Sequence, residues 1–298
     1  MAEAGKAPVL SATPTVLAAW FCPFAQRTLI AFHAKAKPAA DFTIHEITHD
    51  DLYSKPAWFT DLNPAGLIPV IAWNPQAAAA AAAAAATGDT AAGDSAAAAV
   101  VPAAVCCAVP AAVCCAVPGA VSIKESLVCN DYIEDAYPEP PLLPADAVGR
   151  AAARLLIQRF GDKFVPSFYK LLVTQDAAGQ AAAAAVLESE LAWLMQHMDA
   201  ARPFALSGQL SLVDCAVVPF LLRLHIVEHY RGFQGHKQRG VAERLQRYLQ
   251  AAEQHPAVAA SMYHPQGLDY KQQLLLSYAR YADGSANSLM AREAKAKK

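Results

Sequence analysis

The sequence predicts a small α/β domain followed by an all-helical domain, and three observations carry that expectation. Short apolar runs of strand length alternate with helical stretches up to about residue 136. A proline cluster, Pro138, Pro140, Pro141 and Pro144, then forms a stiff, extended linker. Beyond it the alanine- and leucine-rich stretches all have helical period and none alternates as a strand would. The 298 residues are enough for two such domains. Their expected limits are 14–138 and 145–282, with a flexible basic tail at 283–298.

Taken in order, Pro14 to Trp20 is a short apolar run and reads as a buried strand. Phe24 to Lys35 reads as a helix with Ala25, Leu29 and Phe32 on its inner side and charges on the other. Pro23 falls in its first turn, where a missing N–H is no loss. Asp41 to Thr48 alternates as a second strand, and Leu52 to Leu62 is a short helical or irregular link. Asn63-Pro-Ala-Gly66 is a turn, and Ile68 to Trp73 is a third strand with a proline in it. Ala120 to Ile123 is a fourth strand and Ser126 to Ala136 a helix. In the second half, helices are expected over 146–174, 177–200, 211–230 and 240–252. Ser211 and Asp214 are spaced as a capping box at the start of the third.

Between the third and fourth strands lies a low-complexity insert at 77–119. Residues 77–86 are all alanine, and Val101 to Ala108 recurs unchanged as Val109 to Ala116. Few large apolar side chains are present, so a loose or disordered surface loop is expected. Its Cys106, Cys107, Cys114 and Cys115 came with the duplicated unit. No His, Asp or Glu accompanies them at ligand spacing, so no metal is expected.

Composition narrows the function. The net charge of -2, with both signs scattered, lacks the basic face a nucleic-acid partner wants. No stretch reads as a membrane span or a signal peptide. Seven cysteines, four of them in adjacent pairs, are no secreted disulfide framework. A reducing, cytoplasmic setting is expected, and there a single well-placed cysteine is a candidate nucleophile.

Cys22 is that candidate. It stands between a strand and a helix, where free N–H groups and the helix dipole favour a thiolate. The partner position of a dithiol motif is Ala25, so Cys22 acts as a single thiol and a second thiol from solution completes each cycle. The bland alternative is a buried, inert cysteine. Two further features favour the nucleophile. Pro69 inside a strand fits a cis bond after Ile68, whose backbone could then pair with an extended peptide. Ser126 at a helix start suits a carboxylate and Glu125 an ammonium, as a γ-glutamyl group would present.

Trp20 to Arg27, Lys55 to Phe59, Asn63 to Val70, Glu125-Ser126 and Leu206 to Asp214 together resemble the omega class of glutathione transferases, with the related lambda class and dehydroascorbate reductases. The resemblance covers residues 14 to about 260 apart from the insert. It implies a thioredoxin-like domain followed by the helical domain. It implies glutathione as co-substrate, no permanently bound cofactor, and a small oxidised or glutathionylated second substrate. Cys22 would form the mixed disulfide with glutathione, with Phe24 beside the thiol. Lys55 would face the glycine carboxylate. Ile68 would give the backbone pair, with Pro69 cis, and Glu125 and Ser126 would hold the γ-glutamyl end. A homodimer is compatible with this, although the insert could block a dimer surface.

The expected function is thiol transfer or dehydroascorbate reduction. The alternative is a non-catalytic glutathione-binding scaffold, such as a relative of the intracellular chloride channel proteins, which share the fold. The second-substrate pocket has no readable motif. Phe168, Tyr169 and Trp193 could line it or simply be core, and His33, His45 and His225 show no partner pattern.

Overall fold

The computed structural model describes residues 6–35, 41–75, 77, 115–117 and 119–296. The chain divides into two compact units, Met1–Pro140 and Pro141–Lys298.

The first unit is a four-stranded sheet with helices around it. Its elements are β1 (Thr15–Ala18), α1 (Pro23–Lys35), β2 (Thr43–Glu46), α2 (His49–Ser54), α3 (Ala57–Leu62), β3 (Val70–Trp73), β4 (Val121–Lys124) and α4 (Ser126–Ala136). The strand order is β2-β1-β3-β4, with β2 parallel to β1 and the other two pairs antiparallel. This is the arrangement of a thioredoxin-like domain. Strands β1 and β3 are buried at every residue, as their continuous apolar runs require for central strands. Leu17, Val70 and Ala72 join Ile47, Phe59 and Leu62 in one core cluster.

Two differences from the sequence reading matter here. Helix α1 does not have one charged, solvated side: Gln26, Arg27 and Thr28 are buried as fully as Leu29 and Phe32. The helix is covered on both sides, because α4 packs along it as well as the sheet. The second difference lies at the end of the insert. Cys115 and Val117 pack against the core cluster, and the Ala116 N–H donates to the Asp61 carbonyl at 2.8 Å. Those residues are docked and are not part of a surface loop. The remaining expectations for the insert, including Cys106, Cys107 and Cys114, fall outside the described residues.

The second unit is helical throughout. Its elements are α5 (Ala147–Arg159), a π-helical turn (Phe160–Phe164), α6 (Val165–Val173), α7 (Ala177–His197), α8 (Leu212–Leu221), α9 (Leu224–Arg231), α10 (Ala242–Gln254), α11 (Pro256–Ser261), α12 (Tyr270–Ala282) and α13 (Leu289–Ala296). Helix α8 is buried along its whole length and forms the centre. The expected capping box is present in full. Asp214 accepts from the Ser211 N–H at 2.8 Å and from its hydroxyl at 2.6 Å. Its other oxygen accepts from the Ala205 N–H at 2.9 Å and the Tyr248 hydroxyl at 2.8 Å. Burial raises the Asp214 pKa against these bonds.

The expected flexible tail at 283–298 is corrected by α13. Ala291 and Ala294 of that helix are buried, and small side chains allow close packing on α6. The Lys170 ammonium donates to the Ala294 carbonyl at 3.1 Å, and Lys295 donates to the Gly284 and Ala286 carbonyls at 2.7 and 3.0 Å. Among the described residues, no helix is long and apolar enough to cross a membrane, and no group of three or more His, Cys, Asp and Glu could hold a metal ion.

Candidate active site

The sheet register gathers most of the nominated residues at one end of the first unit. Leu17, near the end of β1, pairs with Val70, the first residue of β3. Val70 pairs on its other side with Lys124, the last residue of β4. Ala18 pairs with Glu46, the last residue of β2. The segments that leave or enter the sheet at this edge therefore carry Cys22 after β1, Ile68-Pro69 before β3 and Glu125-Ser126 after β4. The chain that leads from β2 to α2 and Lys55 starts from the same edge. Loops at strand ends are where such folds hold their ligands.

Cys22 immediately precedes α1 and is partly buried. Its N–H donates to the Ala19 carbonyl at 2.9 Å, which closes a turn straight out of β1. Its carbonyl accepts the first helical bond, from Gln26 at 3.0 Å. The Ala25 N–H points at Cys22 Sγ from 3.5 Å, so an otherwise orphan donor of the first turn faces the sulfur. Cys22 and Ile68 pack against the same core cluster. The other described cysteines differ in setting. Cys129 and Cys215 are fully buried, and burial pushes the Cys129 thiol up to about 12. A thiol held in that state is a poor nucleophile.

Lys55 and Glu125 are the two non-glycine residues with positive φ among the described ones, at 47° and 69°. Such conformations are uncommon for residues with a Cβ and cluster where a ligand is clamped. Lys55 ends α2 in the left-handed conformation, with Pro56 blocking continuation. Its alkyl chain folds over Gly66, and its ammonium donates to the Ala65 carbonyl at 2.7 Å. Asn63 locks that turn from inside: its side chain donates to the Leu67 carbonyl at 2.8 Å and accepts from the Ala65 N–H at 3.2 Å. The Ile68-Pro69 bond that follows is cis.

Gly66 is required here for two reasons. It has φ +58°, and a Cβ on it would lie 2.6 Å from Lys55 Cδ. Gly66→Ala is therefore expected to destabilise the first unit by about 1–2 kcal/mol through the left-handed backbone alone, and to displace the Lys55 chain as well. Thermal unfolding of the variant checks the first effect. An unchanged melting temperature would contradict it.

Ser126 opens α4 and is buried, while Glu125 before it is exposed and makes no side-chain cap. Ser126 Oγ accepts from Arg27 Nη1 at 3.3 Å. Phe24, the residue nominated beside the thiol, lies under the same guanidinium, 5.3 Å from ring centroid to Cζ. Arg27 is the residue that sequence reasoning missed. The helical pattern put it on a solvated side, and only its distance of five positions from Cys22 hinted at a place in the site. In the second unit, Phe168 and Tyr169 are buried core residues. Trp193 is clamped between the Arg159 guanidinium and the His197 ring. His33, His45 and His225 have pKa values lowered first by burial.

Sequence comparisons agree with this geometry. Residues 21–136 match the glutathione S-transferase N-terminal domain and residues 176–251 the glutathione S-transferase C-terminal domain. The chain belongs to the glutathione S-transferase family. It is similar to mouse glutathione S-transferase omega-1, 26% identical over 228 residues that cover 76% of this chain and 73% of that protein. The rat omega-1 protein is 27% identical over the same shares of the two chains. Among solved structures, glutathione transferase Omega 3C from Trametes versicolor superposes with a TM-score of 0.64 at 26% identity, over 95% of this chain and 94% of that one.

Proposed function

We propose that this chain is a glutathione-dependent thiol transferase, with dehydroascorbate as a further oxidised substrate, and that Cys22 is its nucleophile. The observation that carries the reading is the single cysteine at the start of α1, with the Ala25 N–H turned to its sulfur and no second cysteine at position 25. Lys55, Ile68, Pro69, Glu125 and Ser126 supply the contacts for the tripeptide, and Phe24 flanks the thiol.

The reaction follows from one thiol. The Cys22 thiolate attacks the glutathionyl sulfur of a mixed disulfide. The S–S bond breaks, the substrate thiolate leaves and takes a proton, and glutathione stays bound through a disulfide to Cys22. A second glutathione thiolate then attacks the glutathionyl sulfur and releases oxidised glutathione and the Cys22 thiolate. The balance is one substrate disulfide reduced for one glutathione disulfide formed. With dehydroascorbate, two glutathiones supply two electrons and two protons. No metal or flavin takes part in either scheme. The cytoplasm, where glutathione is kept reduced, suits this work.

Turnover of a glutathionylated peptide, with reduced glutathione as the second thiol, tests the reading. Glutathione binding without turnover would instead favour a scaffold. A second expectation concerns reactivity. Free thiols titrate near 8.5, and one at a helix N-terminus titrates lower. The rate of Cys22 alkylation by iodoacetamide should therefore reach half its plateau below about pH 8.5, so that the thiolate persists as pH falls toward neutrality. A midpoint at or above the free value would remove the support for a nucleophile.

A further inference from the structure

We propose that Arg27 is a positioning residue that acts through Ser126 to fix the α-carboxylate of the γ-glutamyl group. The inference rests on the glutathione reading above and assigns a role to a residue that touches no ligand itself. Arg27 is 3% exposed, so its charge sits in the interior of the first unit. A buried guanidinium is expensive unless its donors and charge are used. One donor, Nη1, is given to Ser126 Oγ at 3.3 Å. A hydroxyl that accepts there must direct its own hydrogen elsewhere. At this position the remaining direction is toward the open N-terminus of α4, where the first-turn N–H groups are not covered by any side-chain cap from Glu125.

The result is a hydroxyl polarised by a cation and turned to donate, next to free backbone donors at the positive end of an eleven-residue helix. A carboxylate is the ligand group that accepts from both. Phe24 keeps the guanidinium in place from the other side. Arg27 thus ties the segment after Cys22 to the helix that receives the γ-glutamyl end. A lysine would bring a point charge but not the planar fork that reaches Oγ while lying against a ring.

The test compares two ligands in calorimetry with the full chain: S-methylglutathione and its analogue with 4-aminobutyryl in place of γ-glutamyl. The analogue keeps the amine and lacks only the α-carboxylate, and the S-methyl group prevents disulfide formation. The wild type should prefer S-methylglutathione. In Arg27→Met that preference should fall by about tenfold, the size of one hydrogen bond to a charged group, while the alkylation rate of Cys22 stays as in the wild type. Arg27→Lys keeps the stem and charge, serves if the methionine variant does not fold, and should show an intermediate preference. A preference equal to the wild type's in either folded variant overturns the role of Arg27 and leaves the glutathione reading standing. Failure of the wild type to bind S-methylglutathione overturns both.

Discussion

Cys22→Ser is expected to abolish thiol transfer and dehydroascorbate reduction while leaving glutathione bound. The exchange needs a sulfur that can form and release a disulfide, and a hydroxyl forms none. The tripeptide is held by groups the substitution does not touch: Lys55 on its turn, the Ile68 backbone, and Glu125 with Ser126 at the start of α4. Affinity should stay within about tenfold, or about 1.4 kcal/mol. The new hydroxyl can still hydrogen-bond to the sulfur of bound glutathione and favour its thiolate. Conjugation of an electrophile such as chlorodinitrobenzene should therefore persist or rise. A coupled assay of both activities, alongside calorimetry, separates these effects. Retained reductase turnover in the serine variant would sink the assignment. Cys129 could not easily take over, because burial holds its thiol protonated up to about 12.

Asp214→Ala is expected to be the most damaging single change to the helical unit. Three donors would lose their partner at once: the Ser211 and Ala205 N–H groups and the Tyr248 hydroxyl, all buried. An orphaned buried donor costs about 1–3 kcal/mol, so a loss of about 3 kcal/mol or more is expected. For a unit of this size that lowers the melting temperature by roughly 10 °C. Asp214→Asn keeps one acceptor oxygen for Ala205 and Tyr248 but turns an amide donor toward the Ser211 N–H. It should fall between the wild type and the alanine variant. Thermal unfolding of the three proteins gives the order. Equal melting temperatures for the wild type and the alanine variant would contradict the account of the box.

The capping box was legible because its two members are three residues apart and act locally, before any tertiary contact forms. The same holds for Pro23 at the first turn of α1 and for the Asn63-Pro-Ala-Gly66 turn, where φ +58° at Gly66 is a local requirement. Strand positions were legible from apolar runs, since β1 and β3 are buried on both faces. What escaped depends on partners distant in sequence. Arg27 looks like a solvent-facing charge until α4 arrives from a hundred residues away and covers it. The π-helical turn at Phe160–Phe164 is hidden inside a stretch that reads as one helix over 146–174. Three aromatic pairings at Phe160, Phe164 and Phe220 pack there, and no local signal announces them. Helix α13 was missed because its contact residues are alanines, whose small size reads as weak hydrophobicity but permits close approach. The expected 211–230 helix is divided at Leu222–Arg223, just after Pro219. There Arg223 folds back to the Pro219 carbonyl, whose usual helical donor is displaced.

The site itself was legible as five short motifs, but not as a place. Their convergence depends on strand order, and the antiparallel setting of β3 brings Pro69 to the same edge as Cys22 and Glu125. A peptide map of the protein after incubation with glutathione disulfide tests the central claim most directly. The reduced full chain is mixed with glutathione disulfide, quenched by acid, digested and read by mass spectrometry. The account predicts a glutathionyl adduct on the peptide that contains Cys22, formed first and removed by added reduced glutathione. An adduct that forms first on another cysteine, with Cys22 unmodified, would contradict it.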